Sequence, residues 1–503
     1  PAAPLPYPGQ FLDRDRRYVP LMHWSRAGDQ VYSWWPVGFQ LATLPLYLVF
    51  GWRGVYVLPA LGGALTALLA GLLVRQALPR ARRLACGATL AVGLATPVAF
   101  YSTTFWEHTV SVALLMGAVV ATLAAWRTGR WTWLLAAGPL LALATYLRSD
   151  TIAIVAGMCL ALLVLHWRWS VVLGLAYGLS GVPLLVSNWV LMGHPLGRQF
   201  VPGGAAEWTP LFHGVQDAGI WFVPYVLFNS SRVGGFAVDP GLLAVATACT
   251  GAALLYPLLA RWRWISFAAG AGVVVVCGWV LLQPEGYRSV HGFVLIAPQV
   301  VMAGWLYGSR MLWRTTPWPR LLLVICVVYC AVYVARAWIP AGGLQWGPRY
   351  QLAFYPLLTA AAVIGLAVEW RSLTRWLRRG ALALFLVAVL VGLGYQVRGV
   401  LSARQTRSYY QTTEQALYRL PSQTLVTGCS WLTMVMPRLF WTDTVFWTRD
   451  ETAFGGWVSA ARRAGVHSMC RVEMDMCSTT PLDQIAAGRA ANPTGLEVAC
   501  YGE

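Results

Sequence analysis

The chain has 503 residues, of which 58% are hydrophobic and only 11% charged, and its mean hydropathy is +0.57. Soluble domains carry about 25% charged residues, so these values exclude an ordinary globular domain and indicate a polytopic membrane protein. The formal net charge is +18 with no lysine anywhere; the arginines punctuate apolar segments instead of forming one patch, which excludes a nucleic-acid partner.

Residues 1–50 begin polar and Pro-rich, with Asp13 and Asp15 among Arg14, Arg16 and Arg17. They continue through Trp34-Trp35-Pro36 into an apolar stretch to Phe50 that reads as an interfacial helix. Apolar stretches of ~17–22 residues, long enough to cross a bilayer, follow at 52–74, 84–101, 108–126, 131–147, 151–166 and 170–191. A second group lies at 241–260, 264–282, 292–309, 320–338, 350–368 and 381–397. Arginines cluster in alternate turns: Arg75 to Arg83, Arg127 and Arg130, Arg168, Arg261 and Arg263, Arg310 to Arg320, and Arg371 to Arg379. By the positive-inside rule those turns are cytoplasmic, which puts residues 1–50 and the tail on the outer face of the cell membrane. Twelve visible spans agree with both ends lying on one side.

The tail, 398–503, is more charged and less apolar, with a strand-like run at Thr424–Thr427 and a helical stretch near 455–465; it reads as a small soluble α/β domain. The domains expected are therefore 1–50, a first outer loop; 51–397, the membrane helices; and 398–503, an extracytoplasmic domain. Of ten cysteines, six sit in apolar spans and four (Cys429, Cys470, Cys477, Cys500) in the tail. An even number facing an oxidising compartment predicts two disulfides, with three pairings open. Zinc is the rival for these thiols, but the spacings match no finger or ribbon.

Glu107-His108 is the most pointed feature. It sits between two apolar segments, where an ionisable pair needs a wet cavity or a partner, and so reads as a site. The bland alternatives are a carboxylate at a helix N-terminus, favoured by the dipole, and an ordinary interfacial histidine.

Four stretches then resemble a family, the GT-C-type membrane glycosyltransferases that include protein O-mannosyltransferases and the aminoarabinose transferase of lipid A. Tyr32-Ser-Trp-Trp-Pro-Val-Gly-Phe-Gln-Leu is similar to the segment after that family's first outer loop, and Phe100-Tyr-Ser-Thr-Thr-Phe-Trp-Glu-His to its second outer loop. Leu227-Phe-Asn-Ser-Ser-Arg-Val-Gly-Gly-Phe and Gly342-Gly-Leu-Gln-Trp-Gly-Pro-Arg-Tyr match later outer segments. The resemblance implies a polyprenyl-phosphate sugar donor bound at the outer leaflet and an acidic residue in the first outer loop. It also implies a membrane helix ahead of that loop; none precedes Pro1, so the expectation is a truncated, processed or split chain, with a partner chain able to supply the helix.

Sugar transfer from a phosphate-linked donor needs a base for the acceptor hydroxyl and cations for the leaving phosphate. Asp13 or Asp15 is the candidate base, against a solvated loop paired to its neighbouring arginines; Asp29 is a weaker third choice in a Gly-Asp turn. Glu107 is the second acid. His108 would orient the acceptor or touch phosphate. Arg349, with Tyr350 beside it, is the leading phosphate ligand, followed by Arg148 and Arg232, since a guanidinium forks onto two oxygens. Arg148 could equally be an ion pair with Asp150, and Arg336 a snorkelling cation. No cofactor is required; paired acids could recruit a divalent metal, but nothing calls for one. The acceptor, whether glycan, lipid or protein, is not specified. A transporter or flippase for a lipid-linked substrate and a non-catalytic subunit of a membrane complex are the other classes compatible with the pattern.

Overall fold

The computed structural model describes residues 11–13, 17–19, 24–27, 30–33, 37–195, 216, 219–228, 230–232, 235–236, 239–255, 263–283, 289–290, 292–305, 318–336, 346–429, 432–436, 438–439, 443–474 and 496–502. The chain forms two compact units, Val37–Leu185 with Thr209–Val400, and Pro1–Pro36 with Val186–Trp208 and Leu401–Glu503. A hairpin, β1 (Trp24–Ala27) antiparallel to β2 (Gln30–Ser33), precedes the first helix.

The larger unit is helical. Helix α1 (Gly38–Phe50) passes through Gly51, whose φ of +58° a side chain would strain, and a 3-10 turn into α2 (Val57–Ala77). Helices α3 (Arg82–Ala95) and α4 (Pro97–Tyr101) are divided at Thr96, which is extended; its hydroxyl accepts from the amide of Val98, and Pro97 opens the new helix. There follow α5 (His108–Thr128), closed by left-handed Gly129, and α6 (Thr132–Leu147). The two apolar stretches at 151–166 and 170–191 share one long element, α7 (Ile152–Met192), whose backbone is non-helical at His166, beside the Arg168 turn. Further on lie α8 (Phe222–Phe228), a small sheet in the order β4-β3-β5 (β3 Ser230–Arg232, β4 Gly235–Phe236, β5 Ser289–Val290), α9 (Pro240–Leu254) and α10 (Arg263–Leu282). The unit is completed by α11 (Trp318–Arg336), α12 (Phe354–Glu369) and most of α13 (Arg375–Leu417).

Among the described residues six segments are long and apolar enough to cross a membrane: Gly38–Ala77, His108–Thr128, Ser149–Met192, Trp264–Leu282, Trp318–Ala335 and Arg375–Leu417. Four shorter apolar helices, α6, α8 with its preceding turn, α9 and α12, lie between them. The span expected at 292–309 is different: its described part, 292–305, is turn and 3-10 helix. Its apolarity reflects burial in protein, with Leu295, Ile296, Ala297 and Ala303 fully covered, and hydropathy does not distinguish that from contact with lipid. Irregular backbone at this depth needs partners; the amides of Phe293 and Val294 donate to the carbonyls of Val226 and Leu227 at 2.9 Å.

Helix α5 packs on α2 and α6. The α2 crossing is close because Gly62 faces it; a Cβ there would lie 2.7 Å from the amide nitrogen of Val110. Small residues at such crossings let dispersion and interhelical hydrogen bonds act where lipid provides no hydrophobic drive. Thr109 Oγ1 donates to the carbonyl of Pro59 at 2.8 Å and Ser111 Oγ to that of Ala144 at 3.1 Å. These bonds pin the N-terminal turn of α5, where Glu107 and His108 sit.

In the smaller unit β6 (Thr424–Thr427), α14 (Leu432–Val435), β7 (Thr444–Trp447), α15 (Glu451–Arg463), β8 (Ser468–Met474) and β9 (Leu496–Gly502) build a sheet in the order β7-β6-β8-β9. The first three strands in that order are parallel neighbours and β9 is antiparallel to β8. Helix α15 starts at Asp450, whose carboxylate accepts from Ala453, and ends in Arg462 and Arg463, matching the helix dipole at both ends. It buries Trp457 against Phe446, ring centroids 4.9 Å apart. A disulfide joins Cys470 and Cys500 across β8 and β9. Cys429 is also disulfide-bonded, and Cys477 lies outside the described residues.

Candidate active site

Five of the residues singled out from sequence meet in the larger unit. Glu107, His108, Arg148, Arg349 and Tyr350 come from segments up to 243 positions apart, counting from Glu107 to Tyr350 (350 minus 107). His108, Arg148, Arg349 and Tyr350 line one small cleft with Asp150, Thr151, Val112, Ile154 and Leu352, and Glu107 adjoins it through His108 and Arg148.

Glu107 immediately precedes α5, with helical backbone angles and no capping bond from its side chain. Its carboxylate therefore turns to charged neighbours: Oε1 lies 3.0 Å from His108 Nδ1 and 3.7 Å from Arg148 Nη1. Burial pushes this carboxyl up, but His108 and Arg148 outweigh that and hold it down to about 2. A carboxylate with so little proton affinity is a poor general base and a good anchor.

Arg148 ends α6 in an extended conformation that releases its side chain from the helix. It forks onto Asp150, Nε to Oδ1 at 3.0 Å and Nη2 to Oδ2 at 2.9 Å. The ion pair weighed as the alternative reading of Arg148 is thus formed. Two carboxylates neutralise this guanidinium, which orders the cleft wall.

Arg349 is in another situation. Gly347 (φ +83°) and Pro348 turn the chain into a 3-10 segment, Arg349–Gln351, ahead of α12. Only glycine suits that φ, and a Cβ would also come within 3.2 Å of Pro97. Arg349 Nη2 donates to Tyr350 Oη at 2.9 Å, and its guanidinium carbon lies 4.8 Å from the centre of that ring. Among the described residues its buried Nε has no partner and no carboxylate comes within 4.0 Å. Tyr350 is fixed in turn, because Tyr329 Oη donates to its carbonyl.

His108 is 95% covered and stacks against Tyr101 and Trp106, centroids 5.1 and 5.0 Å away. Its Nδ1 is close to Glu107 without being aligned as a hydrogen bond, and its Nε2 is buried with no partner among the described residues. Tyr101 Oη donates to the carbonyl of Gly347. Sequence reasoning did not anticipate Tyr101, Trp106 and Tyr329 as the frame of the site. For the first two the signal was present, since both fall in the Phe100-to-His108 stretch.

Asp13, in the smaller unit, is 97% covered and not solvated; its two oxygens accept from the amides of Arg17 at 2.7 Å and Tyr18 at 2.8 Å. Asp15, Asp29 and the side chains of Arg232 and Arg336 lie outside what is described.

No protein-family model matches the chain, and no curated protein matches it. Among solved structures it is similar to the crystal structure of ArnT from Cupriavidus metallidurans bound to undecaprenyl phosphate. That similarity covers 98% of this chain and 91% of that one at 12% identity, with a TM-score of 0.47. At that score the likeness carries no assignment of activity.

Proposed function

We propose that the chain is a membrane glycosyltransferase moving a sugar from a polyprenyl-phosphate donor to an acceptor hydroxyl on a glycan, lipid or protein. The carrying observation is Arg349: a half-buried guanidinium, unneutralised among the described residues, facing a cleft within apolar helices. An uncompensated cation in such a place is costly unless an anion joins it, and a phosphate sharing two oxygens with the guanidinium is the fitting anion. Charge grows on that phosphate as its bond to the sugar breaks, so Arg349 binds the transition state more strongly than the donor. The proton acceptor is either a first-loop aspartate, Asp13 or Asp15, as the resemblance implies, or a group of the cleft itself.

The cleft and the sheet domain belong, in this reading, on the extracytoplasmic side of the cell membrane. The Arg alternation and the Cys470–Cys500 disulfide support it, since such bonds persist in oxidising compartments. A cysteine placed at exposed Ser459 should react with a membrane-impermeant reagent on intact cells; protection there would overturn the orientation.

The decisive assay is release of sugar from a polyprenyl-phosphate donor in vesicles. Wild type should consume donor, and Arg349→Ala should lose both donor affinity and turnover, each lost charge-assisted bond being worth about 1.5–3 kcal/mol. Passage of an intact lipid-linked substrate across the membrane without sugar release would establish a transporter instead. Activity appearing only with a second chain would establish a subunit.

A further inference from the structure

We propose that His108, positioned by Glu107, takes the proton from the acceptor hydroxyl; this rests on the glycosyl-transfer reading above. Elimination within the cleft leads there. Both Asp150 oxygens are occupied by Arg148. Glu107 sits between His108 and Arg148. Tyr350 Oη accepts from Arg349, and Tyr101 Oη is turned to Gly347. Neither ring nitrogen of His108 is hydrogen-bonded among the described residues; with Nδ1 facing Glu107 it is Nε2 that remains for substrate, on a residue that edges the cleft together with Arg349.

The geometry also selects the tautomer. Glu107 Oε1 beside Nδ1 favours the hydrogen on that nitrogen, which leaves the lone pair on Nε2. Catalytic hydrogen bonds commonly tighten only when substrate is bound. Stacking on Tyr101 and Trp106 prevents the ring from tipping out of position.

The step balances. The acceptor oxygen forms a bond to the anomeric carbon, the bond from that carbon to the phosphate oxygen breaks, and its electron pair leaves with the phosphate. The hydroxyl proton goes to Nε2. A phosphodiester with one negative charge becomes a phosphate monoester with two, and His108 gains one positive charge. The four fixed charges of the cleft, Arg148 and Arg349 against Glu107 and Asp150, sum to zero. The proton held on His108 therefore supplies the charge that the departing phosphate acquires.

The experiment compares His108→Gln, Glu107→Gln, Asp13→Asn and Asp15→Asn in the donor-consumption assay, with donor binding measured separately. His108→Gln should lose about 10²–10⁴-fold in turnover while donor binding stays close to wild type. The groups facing His108 are Glu107, Arg148, Asp150, Arg349, Tyr101 and Tyr350; Arg148 and Arg349 oppose its protonation and Glu107 favours it, so the rate profile is followed to the acid side of about pH 5. The acidic limb of the wild-type rate profile should accordingly vanish in His108→Gln and shift in Glu107→Gln. Wild-type turnover by His108→Gln overturns the proposal, and loss in an aspartate variant instead returns the base to the first loop. If His108→Gln does not fold, the wild-type profile decides: a rate that stays flat down to the pH at which the protein unfolds overturns it. A wild type that consumes no donor defeats the glycosyl-transfer reading itself, a distinct result.

Discussion

Tyr101 and Gly347 are joined by a hydrogen bond of 3.1 Å across 246 positions of sequence, phenol to carbonyl. The bond ties the segment before α5 to the turn that presents Arg349. The same Tyr101 ring lies against His108, so the cation and the imidazole are held by one side chain.

Tyr101→Phe keeps the ring stack and removes that tie. A buried carbonyl then loses its donor, which should cost about 1–3 kcal/mol. In detergent the melting temperature should fall modestly, while the donor KM should rise as the Arg349 turn loosens. An unchanged KM alongside a lowered melting temperature would show the bond to be structural only.

Arg148 is expected to matter for folding before it matters for chemistry. Arg148→Ala strands Asp150 and Glu107, whose side chains are 28% and 25% exposed. The loss should lie toward the low end of the about 3–5 kcal/mol seen when one partner of a buried pair is removed. Pairing Arg148→Met with Asp150→Asn should cost less than the two single changes added together, which thermal unfolding of all three variants would reveal.

Glu107 should leave a signature in acid stability. Its folded carboxyl titrates near 2 against an ordinary 4.5. A depressed carboxyl contributes stability that is present above the unfolded value and lost as pH falls through the folded one. Melting temperatures taken from pH 5 downward should decline in wild type partly on this account. In Glu107→Gln the curve should start lower and fall less steeply; parallel curves would remove Glu107 as the cause.

The Cys470–Cys500 bond closes a separation of 30 residues. Non-reducing peptide mapping should recover the linked pair, and replacing both by serine should destabilise the tail by about 2–4 kcal/mol. Recovery of both as free thiols would contradict the bond and the compartment together.

The membrane helices and the Glu107–His108 locus were legible because their signals are local: apolar length, arginine spacing, an ionisable pair in a greasy run. So was the tail, where the strand Thr424–Thr427 appears as expected and the helix near 455–465 occupies Glu451–Arg463. The Arg148–Asp150 pair was visible as an alternative because its members are two positions apart. What the sequence hid is of two kinds. The buried 3-10 stretch at Pro298–Ala303 has the hydropathy of a span. The contacts of Tyr101 with Gly347 and of Tyr329 with Tyr350 join segments that no periodicity connects.

Arg349 carries one further consequence for how the reaction would be paced. A guanidinium that no carboxylate among the described residues neutralises holds a doubly charged anion more firmly than a singly charged one. In the proposed transfer the spent lipid phosphate is the doubly charged species, and the sugar-bearing donor is the singly charged one. That transfer would carry its own product inhibition: the carrier would outstay the sugar it delivered, and throughput in the membrane would be set by whatever draws that carrier away.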